Sequence, residues 1–292
     1  MSDDFQTEKQ RRERTRPGEE PESVSVLRVR GADGLEALDV RGSRRCWRLV
    51  HERYCVSLML AGRTRYRYRG RTLAKARGSV TVHEPGEAYV AGAQEGVGRA
   101  LVFFLRPELV AALTGGAAPH FRPGPIEAPD VARALAGLAG AMRGDGDRFE
   151  IEARLGEALA LAIDRCGEAP PRGPGAEPRL VRRVKARLQD AADTPISLEA
   201  LAREARLHPL HLLRAFRDHV GIPPHAYLIG LRVARARELL CRDLPVASVA
   251  ARLGFTDQSH LTRHFKALLG ITPGAYGRAG RSRAWRASET GA

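Results

Sequence analysis

The sequence predicts a two-domain α+β chain: a strand-rich N-terminal half, two amphipathic helices, and an all-helical C-terminal module. Three observations predict it. Residues 24 to 106 form short β-like runs with turn punctuation, the pattern turns helical from about 128, and a seventeen-residue phrase occurs twice near the C-terminus. The copies are HLLRAFRDHVGIPPHAY at 211–227 and HLTRHFKALLGITPGAY at 260–276, identical at nine positions with an offset of 49. Chance would give roughly one match, so the chain contains an internal repeat.

In chain order, residues 1–23 mix Arg, Glu, Asp, Pro and Gly without periodicity and read as a disordered charged arm. The runs VSVLRVR at 24, CVSLMLAG at 55, TRYRYRG at 64, GSVTVHEPGE at 78 and RALVFFLRP at 99 read as strands of a β-sandwich or small barrel. Within RTRYRYRGR, alternation sends Arg65, Arg67 and Arg69 to a solvated face and Tyr66 and Tyr68 to a half-buried one. Between 127 and 167, Val131, Leu135, Leu138 and Met142 make one helical stripe, and Ile151, Leu155, Leu159, Ala162 and Ile163 another, separated by GDGD at 144–147. The stripes fit a cap on the β domain or a dimer seam equally well. EAPPRGPGAEP at 168–178 reads as a linker, and residues 279–292 as a basic flexible tail.

Upstream of each repeated phrase lies a second helical pattern: Leu198, Leu201, Ala202 and Ala205 in one unit, Val246, Val249, Ala250 and Leu253 in the other. Ser197 is placed as the N-cap of the first. Each unit is therefore helix, tight turn, helix, the arrangement in which one helix braces while the next enters the major groove. Leu207, Leu212 and Phe216, like Phe255, Leu261 and Phe265, are expected to face the core. That leaves Leu210, Leu213, Arg214 and Arg217 outward in the first unit, and Gln258, Ser259, Thr262, Arg263 and Lys266 in the second. Arginine pairs bidentately with guanine and glutamine with adenine. Between the units, residues 224–240 read as a rigid connecting helix carrying Leu228, Leu231, Ala234 and Leu239 with Arg232, Arg235 and Arg237. Such an arm predicts a monomer touching successive major grooves about 34 Å apart.

Charge placement agrees. The chain carries a net +14, of which residues 179–292 supply +11 (20 Lys and Arg against 9 Asp and Glu) and residues 1–178 only +3. A basic module suits a polyanion, because each cation laid on a phosphate releases counterions. No run of eighteen apolar residues is present and the N-terminus lacks the apolar stretch of a signal peptide, so a cytoplasmic protein with no membrane contact is expected.

The stretch ASVAARLGFTDQSHLTRHFKALLGITPGAY, with the rest of residues 179–278, resembles the double helix-turn-helix domain of AraC/XylS-family transcription regulators. The resemblance implies a sequence-specific DNA-binding regulator, not an enzyme, acting with double-stranded operator DNA, RNA polymerase and a small-molecule effector, as a homodimer. It places base-facing positions on Leu210, Leu213, Arg214, Gln258, Ser259, Thr262 and Arg263. It also implies a cupin-like sensing barrel over 24–126 and dimerising helices over 127–167. Two positions depart from the pattern. Arg206 stands at the usual turn glycine and His208 at the usual small hydroxyl cap, so a distorted first turn is expected.

His211 and His260 recur, but no further ligand recurs with them, so a hydrogen bond to backbone or phosphate is the expected role. VHEPGE at 82–87 resembles a barrel turn but lacks an H-x-H pair, and His51, His83 and His120 lack the spacing of a facial triad. No cofactor and no catalytic metal are expected. The four cysteines, Cys46, Cys55, Cys166 and Cys241, form no C-x-x-C pair and read as reduced structural thiols. The alternative is a cupin-type enzyme, or a redox or soft-metal sensor using Cys46 and Cys55, fused to a DNA-binding domain.

Overall fold

The computed structural model describes residues 22–29, 34–43, 47–116, 118–144, 146–168, 178–279 and 284–288, with side chains except at 93, 94 and 284–288. Most of the charged arm, most of the linker and Cys46 lie outside the described residues. The N-terminal half runs β1 (Ser23–Leu27), β2 (Leu35–Ser43), β3 (Arg48–His51), β4 (Tyr54–Tyr68), β5 (Arg71–Ala76), β6 (Ser79–His83), β7 (Glu87–Leu105), α1 (Pro107–Leu113), β8 (His120–Phe121), β9 (Ile126–Glu127), α2 (Pro129–Arg143), α3 (Arg148–Cys166) and β10 (Gly167–Glu168). The C-terminal half runs α4 (Arg179–Asp190), α5 (Leu198–Ala205), α6 (Pro209–Val220), α7 (Pro224–Cys241), α8 (Val246–Arg252), α9 (Gln258–Leu269), α10 (Pro273–Ala279) and β11 (Ala284–Ser288). The two-domain α+β class holds.

The sheet is built on two long strands. CVSLMLAG and TRYRYRG, expected as separate strands, are one fifteen-residue strand, β4. Its pairing with β7 shifts register at three places, and such bulges let a long strand bend. The strand path is β11-β1-β2-β7-β4-β6-β9, with β3 on β7 and β5 on β4; its ends do not pair, so among the described residues the sheet is open. The tail expected to be flexible supplies β11, antiparallel to β1.

Alternation along these strands decides what lies on each side. Ala37, Val56, Leu58 and Phe103 pack with Val131, Leu135, Leu138 and Met142 of α2 and with Ile151, Leu155, Leu159 and Ala162 of α3. The two helical stripes are thus spent inside the chain as a cap on the sheet, and the seam alternative fails for these faces. Turning them outward would forgo roughly 1.5–3 kcal/mol per Leu or Ile. Asp147 caps α3, its carboxylate accepting from the Glu150 N–H at 2.8 Å.

The opposite face carries the C-terminal module. Val24, Val26, Leu38, Val40 and Phe104 pack with α7 to α10, while Val50, Ala88 and Val90 pack with α4 to α7. Helix α7 lies closest to the sheet, where Gly230 meets β3; a Cβ there would stand 2.6 Å from Val50 Cγ2. The repeat's matching tyrosines each bridge the halves. Tyr227 donates to the Gly86 carbonyl at 2.8 Å, and Tyr276 donates to the Glu36 carboxylate.

The expectation for RTRYRYRGR needs correction. Tyr66 and Tyr68 are fully buried rather than half-buried. Of the arginines, Arg65 is exposed, but Arg67 donates to the Asp218 carbonyl at the end of α6 and Arg69 pairs with Glu84 and Glu87.

Candidate nucleic-acid interface and a cavity beneath it

The first helix-turn-helix is α5–α6, and its local chemistry follows the sequence. Ser197 Oγ accepts from the Ala200 N–H at 3.1 Å, capping α5. Arg206 then takes the left-handed conformation (φ 56°, ψ 43°), and Gly254 takes it in the second unit (φ 66°). Both turns close with the same hydrogen bonds: Leu207 N–H to Ala202 O at 2.9 Å, and Phe255 N–H to Ala250 O at 3.0 Å. The first turn is therefore strained at Arg206 but not distorted, which corrects the expectation. The difference between the units shows in the next residue: Phe255 is buried, whereas Leu207, expected in the core, is 38% exposed.

The second helices of the two units, α6 and α9, begin with different caps. His208 Nδ1 accepts from the Leu210 N–H at 3.3 Å, so the imidazole takes the place of a hydroxyl. Asp257 accepts from the His260 N–H at 2.7 Å, and His260 Nδ1 accepts from the Thr256 N–H at 3.3 Å. His260 thus makes the backbone hydrogen bond expected of it.

Leu212, Phe216, Leu261 and Phe265 are buried, which turns the opposite faces of α6 and α9 outward. Leu210 is 57% exposed, Arg214 is exposed, and Leu213 and Arg217 are half-buried. On α9, Gln258, Ser259, Arg263 and Lys266 are exposed and Thr262 is half-buried. None of the nine belongs to a hydrophobic core. Leu210, Leu213, Arg214 and Arg217 follow an i, i+3, i+4, i+7 spacing, as do Ser259, Thr262, Arg263 and Lys266, so each set shares one helix face.

The arm between the units is more deeply held than its arginines suggested. Arg232 and Arg237 are buried. Arg232 donates to the Ala192, Thr194 and Gly254 carbonyls at 2.8, 3.1 and 2.6 Å, tying the end of α4 and the second turn to α7. Arg237 donates to Tyr276 Oη at 2.9 Å, lies over the Phe104 ring at 3.8 Å, and pairs with Glu36 at 3.3 Å. Arg28 and Arg53 reach the same carboxylate at 3.3 and 3.5 Å. Burial alone would raise the Glu36 carboxyl, but Arg237, Arg28 and Arg53 overcome it and hold it at about 2.

A cavity of about 60 Å³ lies on this face of the sheet, lined by His51, Cys55, Ser57, Met59, Lys75 and His83 among others, with Leu269 of α9 in its wall. Cys55 and His83 stand directly opposite one another across the β4–β6 pair, and the β3–β4 turn returns His51 beside them. The two imidazoles stack at 5.5 Å. One ligand atom from each of His51, Cys55 and His83 lies within 4.8 Å of the others. Burial pushes His51 down to about 3 and the Cys55 thiol up to about 12. It holds His83 well below its ordinary value, and lowers Lys75 to about 8. Chain spacing had set these histidines aside; strand register brings two of them together, while His120 pairs with Glu84 at 3.2 Å.

Comparison with known proteins bears on both regions. Residues 34–159 match the family model described as an AraC-like ligand binding domain, and residues 201–279 match a helix-turn-helix domain. The chain is 31% identical over 136 residues to the bifunctional transcriptional activator/DNA repair enzyme Ada of Escherichia coli, covering 46% of this chain and 38% of Ada. It is 34% identical over 114 residues to the HTH-type transcriptional regulator GlxA of Rhizobium meliloti, covering 37% of this chain and 35% of GlxA. The matches thus span little more than a third of those relatives. Among solved structures, ToxT from Vibrio cholerae superposes with a TM-score of 0.53 at 9% identity, covering 85% of this chain and 99% of that one, a likeness of fold. With a ligand-binding-domain match on the sheet and its capping helices, and a helix-turn-helix match on the repeat, the chain belongs to the AraC/XylS family.

Proposed function

We propose that this chain is a sequence-specific DNA-binding transcription regulator that responds to a small ligand held by its N-terminal domain. The observation that carries the reading is the pair of outward-facing helices α6 and α9, with Arg214 and Arg263 at equivalent exposed positions, fixed to one buried arm, α7. On this reading Leu210, Leu213, Arg214 and Arg217 face one major groove, and Gln258, Ser259, Thr262, Arg263 and Lys266 the next. The sheet serves as a cupin-like sensing domain. The protein works in the cytoplasm as a homodimer alongside RNA polymerase, with any dimer contact through α2 and α3 using their outer faces. Catalysis is not part of this reading: GlxA is named a transcriptional regulator, and the match to Ada, named also as a repair enzyme, covers only 38% of it.

Selection of bound DNA from a random pool, followed by titration of the selected site, tests the reading. Arg263→Ala should cost roughly 1–3 kcal/mol on that site and relax base preference at one position, with a steep salt dependence in the wild type. Unchanged affinity and unchanged preference would sink the assignment of α9 as a reading helix.

A further inference from the structure

The cavity contains more ligand chemistry than apolar recognition requires. His51 Nε2 and both ring nitrogens of His83 are buried without a hydrogen-bond partner, an arrangement that leaves lone pairs or N–H groups uncompensated. Cys55 is buried beside them as a free thiol. At about 60 Å³ the space exceeds the roughly 10–15 Å³ that one water needs on this measure, so it has room for an ion beside these side chains.

We propose that His51, Cys55 and His83 form a binding site for a soft monovalent cation, Cu⁺. Two imidazole nitrogens and a thiolate are a donor set suited to copper and zinc, and Met59, whose thioether is a soft donor, lines the same cavity. Metal–ligand bonds of roughly 2.0–2.3 Å set ligand atoms roughly 3.5–4 Å apart in a three-coordinate site, so from the present 4.8 Å limit the side chains would draw in by up to about 1 Å. Charge chooses between the metals. Cu⁺ with one thiolate is neutral, whereas Zn²⁺ with one thiolate leaves a net positive charge among three buried side chains, and an uncompensated buried charge is strongly disfavoured. Among the described residues, no carboxylate joins the cluster to offset it. Binding exchanges a proton for the ion: the Cys55 S–H bond breaks, the proton leaves to solvent, the sulfur and two ring nitrogens take the metal, and no electron is transferred.

The site has a route to the rest of the molecule. His51 ends β3, the strand on which α7 rests through Val50 and Gly230, and Leu269 of α9 forms part of the cavity wall. That occupancy is felt at DNA rests on the regulatory reading above; that the ion binds does not, and binding alone is tested here.

The test uses the reduced full-length chain, titrated with Cu⁺ under anaerobic conditions against a chromogenic Cu⁺ chelator, with circular dichroism as the fold control. The wild type should withdraw a single equivalent. Cys55→Ser and His83→Gln should each lose affinity by at least about tenfold, while Cys46→Ser/Cys166→Ser/Cys241→Ser, which keeps Cys55 as the sole thiol, should retain it. Retention by Cys55→Ser, or loss in the triple variant, overturns the site. X-ray absorption of the copper-loaded wild type keeps the proposal testable if variants fail to fold: one sulfur and two nitrogen neighbours support it, and an all-sulfur or sulfur-free shell overturns it. Displacement of Cu⁺ by an equal concentration of Zn²⁺ overturns the choice of a monovalent ion.

Discussion

Glu36 on β2 and Arg237 on α7 form a 3.3 Å ion pair whose side chains are only 3% and 8% exposed. Through it one buried carboxylate holds arginines from both halves of the chain. Removing one member of such a group is far worse than replacing the whole, because it strands the remaining charges. Glu36→Gln is expected to destabilise the protein by about 3–5 kcal/mol, read from the urea midpoint. A loss below about 1 kcal/mol would mean that the arginines find other partners.

The same carboxylate sets a pH dependence. Its folded value of about 2 lies below its ordinary 4.5, so the unfolded chain binds the proton more readily. The stability it contributes is complete above pH 4.5 and is lost as pH falls toward 2. Between neutral pH and about pH 3, the wild-type urea midpoint should therefore fall more than that of Glu36→Gln. Parallel declines would remove Glu36 as the cause.

Helix α7 rests on β3 only because position 230 has no side chain. Gly230→Ala places a Cβ 2.6 Å from Val50 Cγ2, an overpacking expected to cost roughly 1–3 kcal/mol. Val50→Ala added to it should restore much of the loss, since the two changes act on one contact. Strictly additive losses would place the clash elsewhere.

Arg206 occupies a left-handed conformation that its counterpart Gly254 adopts without penalty. Arg206→Gly should raise stability by about 0.5–1 kcal/mol, the relief of φ strain partly offset by glycine's greater unfolded freedom. Gly254→Ala should do the reverse, because its Cβ would also meet Arg232 Nη2 at 2.8 Å. Equal and small effects at both positions would show that the turns tolerate either residue.

The two helices proposed to read DNA expose different chemistry, Leu210 on one and Gln258 with Ser259 on the other. The site selected by a single chain should consequently be asymmetric, with Gln258→Ala relaxing preference in only one half by roughly 1–3 kcal/mol. A perfectly symmetric monomer site would contradict this.

The helix-turn-helix pair was legible because repetition separates shared packing residues from variable outward ones: Phe216 and Phe265 repeat and are buried, while Leu210 and Gln258 do not repeat and are exposed. The repeat also contained a message that periodicity alone missed. Tyr227 and Tyr276 are identical because each packs edge-on against the repeated phenylalanine, at 5.6 and 5.2 Å; their hydroxyls anchor the other domain. Arg232 and Arg237 were misleading, since an arginine on an amphipathic helix is expected in solvent and α7 is surrounded. The His51, Cys55 and His83 cluster was invisible in chain spacing because strand register, a long-range property, creates it.

Leu269 is both the last residue of α9 and part of the cavity wall. The chamber therefore has its present shape only while that helix is docked, so any DNA that draws α9 away remodels the chamber. Were DNA to draw α9 away, the coupling would run both ways with equal magnitude: an occupant that favours the docked helix would weaken DNA binding by the same factor by which DNA weakens the occupant.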